Sequence, residues 1–163
     1  MFADLLEENA RYAADFTLAG IPASAAKQFA LVTCMDSRIE PLAMLGLVPG
    51  DAKILRNAGG RVTTDVLRSL ILATRFLGVR RIAVMQHTGC ALVGRTDEEL
   101  RVDLGGPDGE ADAWEFLAMP DPDRALESDV EAVRGCPLLA SDVVVEGWRY
   151  HVEDGRIDQV LRS

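Results

Sequence analysis

Phe29-Ala30-Leu31-Val32-Thr33, followed at once by Cys34, is a short apolar run ending in β-branched residues. It is too short for an ordinary helix and carries no charge, so it reads as a strand buried on both faces, with Cys34 at its carboxyl end. Arg81-Ile82-Ala83-Val84-Met85-Gln86 repeats the pattern and delivers His87 at the same end. Ala52-Lys53-Ile54-Leu55 is a further strand, and Val143 to Val152 a last one, which turns at Glu153-Asp154-Gly155 into a short return strand.

Helical patterns separate these runs. Positions 2 to 18 place Phe2, Leu5, Leu6, Ala13 and Phe16 broadly on one face, and Gly20-Ile21-Pro22 stops the pattern. Glu40 to Leu47 reads as a short helix ended by Pro49-Gly50. Thr63 or Thr64 caps the next helix, whose stripe of Val66, Leu70, Ala73 and Leu77 runs to a stop at Gly78. Positions 96 to 122, with Gly105-Gly106-Pro107-Asp108-Gly109, read as surface loops and a short helix around Trp114 and Phe116. Positions 123 to 134 form another, acidic helix. The alternation predicts an α/β fold, one domain over 1–163, with a mainly parallel sheet between helices. Ligands of such sheets gather outside the carboxyl ends of the strands, where Cys34 and His87 are expected.

The bulk properties exclude several functions. The 163 residues are 48% hydrophobic and 26% charged, with a formal net charge of -9. That charge argues against general affinity for nucleic acid or anionic membrane. Apolar runs such as Leu70-Ile71-Leu72-Ala73 are far too short to span a bilayer, and the N-terminus lacks the basic start of a secretory signal. Three cysteines do not make a disulfide framework, so a cytoplasmic location is the expectation.

Two islands carry the chemistry, Cys34-Met35-Asp36-Ser37-Arg38 and His87-Thr88-Gly89-Cys90. Two thiolates and an imidazole are a zinc ligand set with one coordination position left open. Residue types alone leave another possibility: Cys34 as a small buried hydrophobe and His87 as a hydrogen-bonded turn residue. Asp36 and Arg38 are either an ordinary loop ion pair or, beside a metal ligand, a directional carboxylate fixed by a guanidinium. Arg56-Asn57-Ala58-Gly59-Gly60 offers a tight turn or close backbone approach to a ligand. His151 reads as a surface residue of the terminal hairpin and Cys136 as structural.

In order and separation, Cys34-Met35-Asp36-Ser37-Arg38, Arg56-Asn57-Ala58-Gly59 and His87-Thr88-Gly89-Cys90 resemble the motifs of β-class carbonic anhydrases, in particular their compact bacterial branch. The resemblance implies four parallel strands with an antiparallel fifth. It implies one zinc ion per chain on Cys34, His87 and Cys90, and an Asp36–Arg38 dyad that orients a zinc-bound hydroxide. Ala58 and Gly59 would line the pocket for carbon dioxide and bicarbonate. It further implies a homodimer or dimer of dimers, the N-terminal helix embracing a partner subunit. The family's carbonyl sulfide and carbon disulfide hydrolases share these ligands and are the first alternative; a non-catalytic zinc-stabilised regulatory module is the second. One departure is Cys90-Ala91-Leu92, where many members have Gly-Gly or Gly-Ala after the last ligand.

Overall fold

A computed structural model describes residues 1–105 and 107–163; Gly106, expected in a surface loop, lies outside the described residues. Strand β1 (Phe29–Cys34) is buried along its whole length. It pairs in parallel with β2 (Ala52–Asn57) on one edge and β3 (Arg81–His87) on the other. Strand β4 (Val144–Tyr150) extends the parallel set, and β5 (Ile157–Leu161) turns back antiparallel. The order is β2-β1-β3-β4-β5, so the expected four parallel strands and antiparallel fifth are present.

Side-chain alternation divides the core into two layers. Ala30, Val32, Ile82, Val84 and Val145 point to one face. Helices α3 (Thr64–Phe76) and α5 (Pro122–Arg134) cover them with Val66, Leu70 and Ala73, and with Leu126, Val130 and Val133. Each such side chain, fully buried, contributes roughly 1.5–3 kcal/mol. Helix α3 starts where Thr63 Oγ1 accepts from Val66 N at 3.3 Å. Helix α5 starts where Asp121 Oδ1 accepts from Asp123 N and Arg124 N, both at 3.1 Å, with Pro122 in the first turn. On the opposite face Phe29, Leu31, Ala83 and Met85 pack with Ile39 and Met119, under the short α2 (Pro41–Met44) and its following loop.

Several boundaries differ from the sequence reading. Helix α1 (Ala3–Ala14) stops before position 18, because Asp15 places an anionic side chain at the negative end of the helix dipole. Helix α2 is four residues long, because the chain tightens at Leu45 and Gly46 turns to φ +63°. No helix surrounds Trp114 and Phe116. The helix there is α4 (Asp97–Leu104), set by a reciprocal capping box between Thr96 and Glu99, and a 3-10 segment follows at Pro107–Ala113. Phe116 N and Ala118 N instead donate to the two oxygens of Asp97, which holds that stretch open.

Gly60 shows how tightly the carboxyl edge is packed. Its φ is +66°, and a Cβ there would lie 2.9 Å from Cys34 N, Met85 O and Thr33 C. All three are backbone atoms with little room to give. Gly60→Ala is therefore expected to cost about 2–6 kcal/mol, combining backbone strain with overpacking. Denaturant unfolding measures this, and a loss below about 1 kcal/mol would show that the turn relaxes freely.

Candidate metal centre

The parallel register decides which residues meet. Cys34 pairs with Asn57 and Thr33 with Met85, so β1, β2 and β3 end at one edge of the sheet. His87 leaves β3 at that edge, and the turn Thr88-Gly89 carries the chain back to Cys90. That turn is pinned from outside. Thr88 N donates to Tyr150 O at 2.9 Å, and Thr88 Oγ1 donates to Glu153 and accepts from Val152 N.

The ligating atoms of Cys34, His87 and Cys90 lie within 4.8 Å of one another. Cys34 and His87 are both buried, as a structural reading of either would require, but they are also convergent, which that reading does not predict. His87 Nδ1 sits 2.8 Å from Thr88 O, which fixes the proton on that nitrogen and leaves Nε2 with its lone pair. Nε2 is sealed from water and has no protein partner. A buried acceptor without a partner costs about 1–3 kcal/mol, a cost that a bound cation removes. Two sulfurs and this nitrogen fit one zinc ion per chain, with room for a fourth ligand.

The sulfurs are prepared for a cation. The neighbouring Cys90 thiol, against the opposing effect of burial, lowers the Cys34 thiol from its ordinary range. Backbone groups at Asp36 and Gly59 add to this. Cys90 is raised in turn. A bound metal takes both sulfurs as thiolates and releases the thiol protons that remain.

Asp36 and Arg38 form a fork. Arg38 Nε donates to Oδ1 at 2.9 Å and Nη2 to Oδ2 at 2.7 Å, while Arg38 N also donates to Oδ1. Arg38 Nη2 reaches on to Gly89 O at 3.1 Å, tying the first island to the second. Held this way, Asp36 Oδ2 stands 3.8 Å from His87 Nε2. A cavity of about 430 Å³ opens above Cys34 and Cys90. Asp36, Ser37 and Arg38 form its polar side. Met35, Ala58, Gly59, Ala91 and Leu92 form the apolar one.

This geometry can be set beside known proteins. A family model described as carbonic anhydrase matches residues 29–112. Beta-carbonic anhydrase 1 of Mycobacterium tuberculosis is 31% identical, with 96% of each chain covered. The chain belongs to the β-carbonic anhydrase family. A carbon disulfide hydrolase of an Acidianus strain is also 31% identical, over 96% of this chain and 89% of its own length. Among solved structures, the carbonic anhydrase from Streptococcus mutans superposes with a TM-score of 0.85 at 37% identity, covering 98% of this chain and 96% of that one.

The sequence reading placed Cys34 and His87 at one sheet edge, and the structure sets Cys90, the Asp36–Arg38 pair and Ala58-Gly59 beside them. That reading gave no role to Arg56, whose Nε donates to Cys34 O at 3.1 Å and whose Nη2 donates to Asp36 O at 2.6 Å, bracing the ligand turn. It also missed Asp129, a buried carboxylate in the apolar stripe of α5. A charge between Leu126 and Val133 was the available signal. His151 is a hairpin residue 2.8 Å from Asp158, and Cys136 packs at the edge of the core, both away from the metal cluster.

The fork holds Asp36 well below the usual carboxylate range, chiefly through its hydrogen bonds from Arg38. With a depressed folded value, the pairing is complete above the ordinary carboxylate pKa and is lost only as pH falls through the lower folded one. The Asp36 carboxyl carbon signal in NMR is expected to titrate below the ordinary range, and Arg38→Ala to move it up. An unmoved titration would remove Arg38 as the cause.

Proposed function

We propose that this protein is a zinc-dependent carbonic anhydrase that interconverts carbon dioxide and water with bicarbonate and a proton. The observation that carries this reading is the convergence of Cys34, His87 and Cys90 beneath a cavity whose polar side is the Asp36–Arg38 fork. Zinc, when bound, supplies a Lewis acid that brings the pKa of water toward neutrality. The protein supplies the rest. Asp36, kept ionised by Arg38, accepts a hydrogen bond from the attacking water and so aims its lone pair. Arg38, tied to Gly89 O, keeps that carboxylate turned toward its own guanidinium. Ala58, Ala91 and Leu92 present an apolar wall to a linear, uncharged substrate and limit the number of waters beside it.

Hydration of carbon dioxide followed by stopped-flow tests the reading. Wild type is expected to be active with about one zinc per chain. His87→Ala should lose zinc and activity together. Asp36→Asn should keep zinc and lose roughly 10²–10⁴-fold in kcat. Full activity in either variant would contradict these roles. The 31% identity to a carbon disulfide hydrolase favours a second reading, in which the same site hydrolyses carbon disulfide or carbonyl sulfide. Parallel assays rank the substrates by kcat/KM.

The same proposal includes a homodimer. Helix α1 buries none of its residues, yet Leu5, Leu6 and Tyr12 share one face and are each more than half exposed. A second copy of the chain would cover that stripe. Among the described residues no helix is long and apolar enough to cross a membrane, so a bilayer-spanning role for α1 has no support. Sedimentation is expected to give a dimer for wild type and a monomer for the double variant Leu5→Glu, Leu6→Glu. A monomeric wild type would refute the dimer.

A further inference from the structure

The cavity has two apolar walls built from separate turns, Ala58-Gly59 after β2 and Ala91-Leu92 after the last metal ligand. They are in contact: a Cβ placed on Gly59 would lie 2.9 Å from Leu92 Cδ1. Among the described residues, no hydrogen bond joins the two turns directly. Arg61 connects them by a longer route. Arg61 N donates to Asn57 Oδ1 at 2.9 Å and Asn57 Nδ2 donates to Arg61 O at 2.7 Å, which closes the first turn. The guanidinium leaves in the other direction, where Nη1 donates to Leu117 O. Two residues on, Met119 N donates to Leu92 O at 2.9 Å, and Gly94 N donates to Met119 O at 2.8 Å.

Asp129 of α5 holds the guanidinium in place. It accepts from Arg61 Nε at 2.6 Å and from Val62 N at 3.1 Å, with both partners of the pair nearly buried. Buried pairs of this kind are weak sources of net stability compared with apolar residues of equal volume, but they fix geometry when every polar group is satisfied. The planar fork matters here, because one side chain must reach both a carboxylate and a carbonyl.

We propose that Arg61, seated on Asp129, is a positioning residue that sets the distance between Gly59 and Leu92 and thereby the width of substrate the cavity admits. The proposal rests on the carbonic anhydrase reading of the site. Its consequence is that slackening Arg61 widens the slot without touching a ligand or the dyad.

The test uses the cobalt-loaded protein, whose visible spectrum reports anions entering the site. Thiocyanate, a linear triatomic anion, and benzoate, a wider planar one, are titrated against wild type, Arg61→Lys and Leu92→Ala. Arg61→Lys keeps the charge opposite Asp129 but loses the fork. The preference for thiocyanate over benzoate is expected to fall about tenfold in Arg61→Lys, and comparably in Leu92→Ala, which opens the slot directly. For Arg61→Lys, the KM for carbon dioxide should rise more than kcat falls. An unchanged anion preference in folded Arg61→Lys, whatever its melting temperature, overturns the proposal and leaves Arg61 a purely structural residue.

A measurement on wild type covers the case in which that variant does not fold. The amides of Arg61, Val62, Gly94 and Met119 are expected to exchange hydrogen with one shared opening free energy. Separate openings of the two walls would overturn the coupling. Anion titration does not depend on turnover, so a wild type that sorts the anions yet fails to hydrate carbon dioxide would bring down the functional reading alone.

Discussion

Strand β1 has no side that faces water, and the parallel ladders on both its edges bring Cys34, Asn57 and His87 out of the sheet at one end. The rest of the molecule follows from this. A central strand buried on both faces demands apolar residues throughout, and the first position free of that demand is where the ladder ends. Cys34 occupies that position. It is hydrophobic enough to finish a buried strand and nucleophilic enough, once ionised, to hold a metal. Because parallel strands share a direction, the ends of β2 and β3 supply the pocket turn and the second ligand island without any long excursion of the chain.

Loops at that edge lack a ladder of their own, and arginines take its place. Arg38 bonds the carbonyl of Gly89, Arg56 those of Cys34 and Asp36, and Arg61 that of Leu117. In each case a guanidinium of several fixed donors satisfies backbone acceptors that irregular segments leave open. Two of the three also hold a carboxylate, Asp36 or Asp129. In a chain of net charge -9, this sets two cationic groups, Arg38 and Arg56, beside Asp36 and the turn that carries Cys34.

The strands and metal ligands were legible because both depend on local pattern. Apolar runs of strand length mark β1 and β3, and the ligand types stand directly at their ends. Helix α3 was legible from its period and cap, and α5 as an acidic helix over positions 123 to 134. What failed had other causes. Helix α1 buries nothing, so no packing against the rest of the chain fixes its length, and it ends at the Asp15 cap. The region of Trp114 and Phe116 was misread because aromatic residues suggested a helix, while Thr96-Asp97-Glu98-Glu99 already spelled a capping box further upstream. Arg61 and Asp129 lie 68 positions apart and meet only in three dimensions, so no spacing rule reports their contact.

The departure at Ala91-Leu92 acquires a reason from its neighbour. Small residues after the last ligand would leave open space opposite Gly59; here Leu92 fills it and packs against that glycine. Gly59 is then required twice. Its φ of +74° disfavours any side chain, and its missing Cβ makes room for Leu92 Cδ1 and, 3.3 Å away, Met119 Cε. The two requirements are separable in principle, since trimming Leu92 would relieve the crowding and leave the backbone strain. An enlarged residue in one wall is thus accommodated by an absent side chain in the other. This wall of the cavity stays closed and apolar because these two positions are matched, and the turns that carry them are held in register from behind.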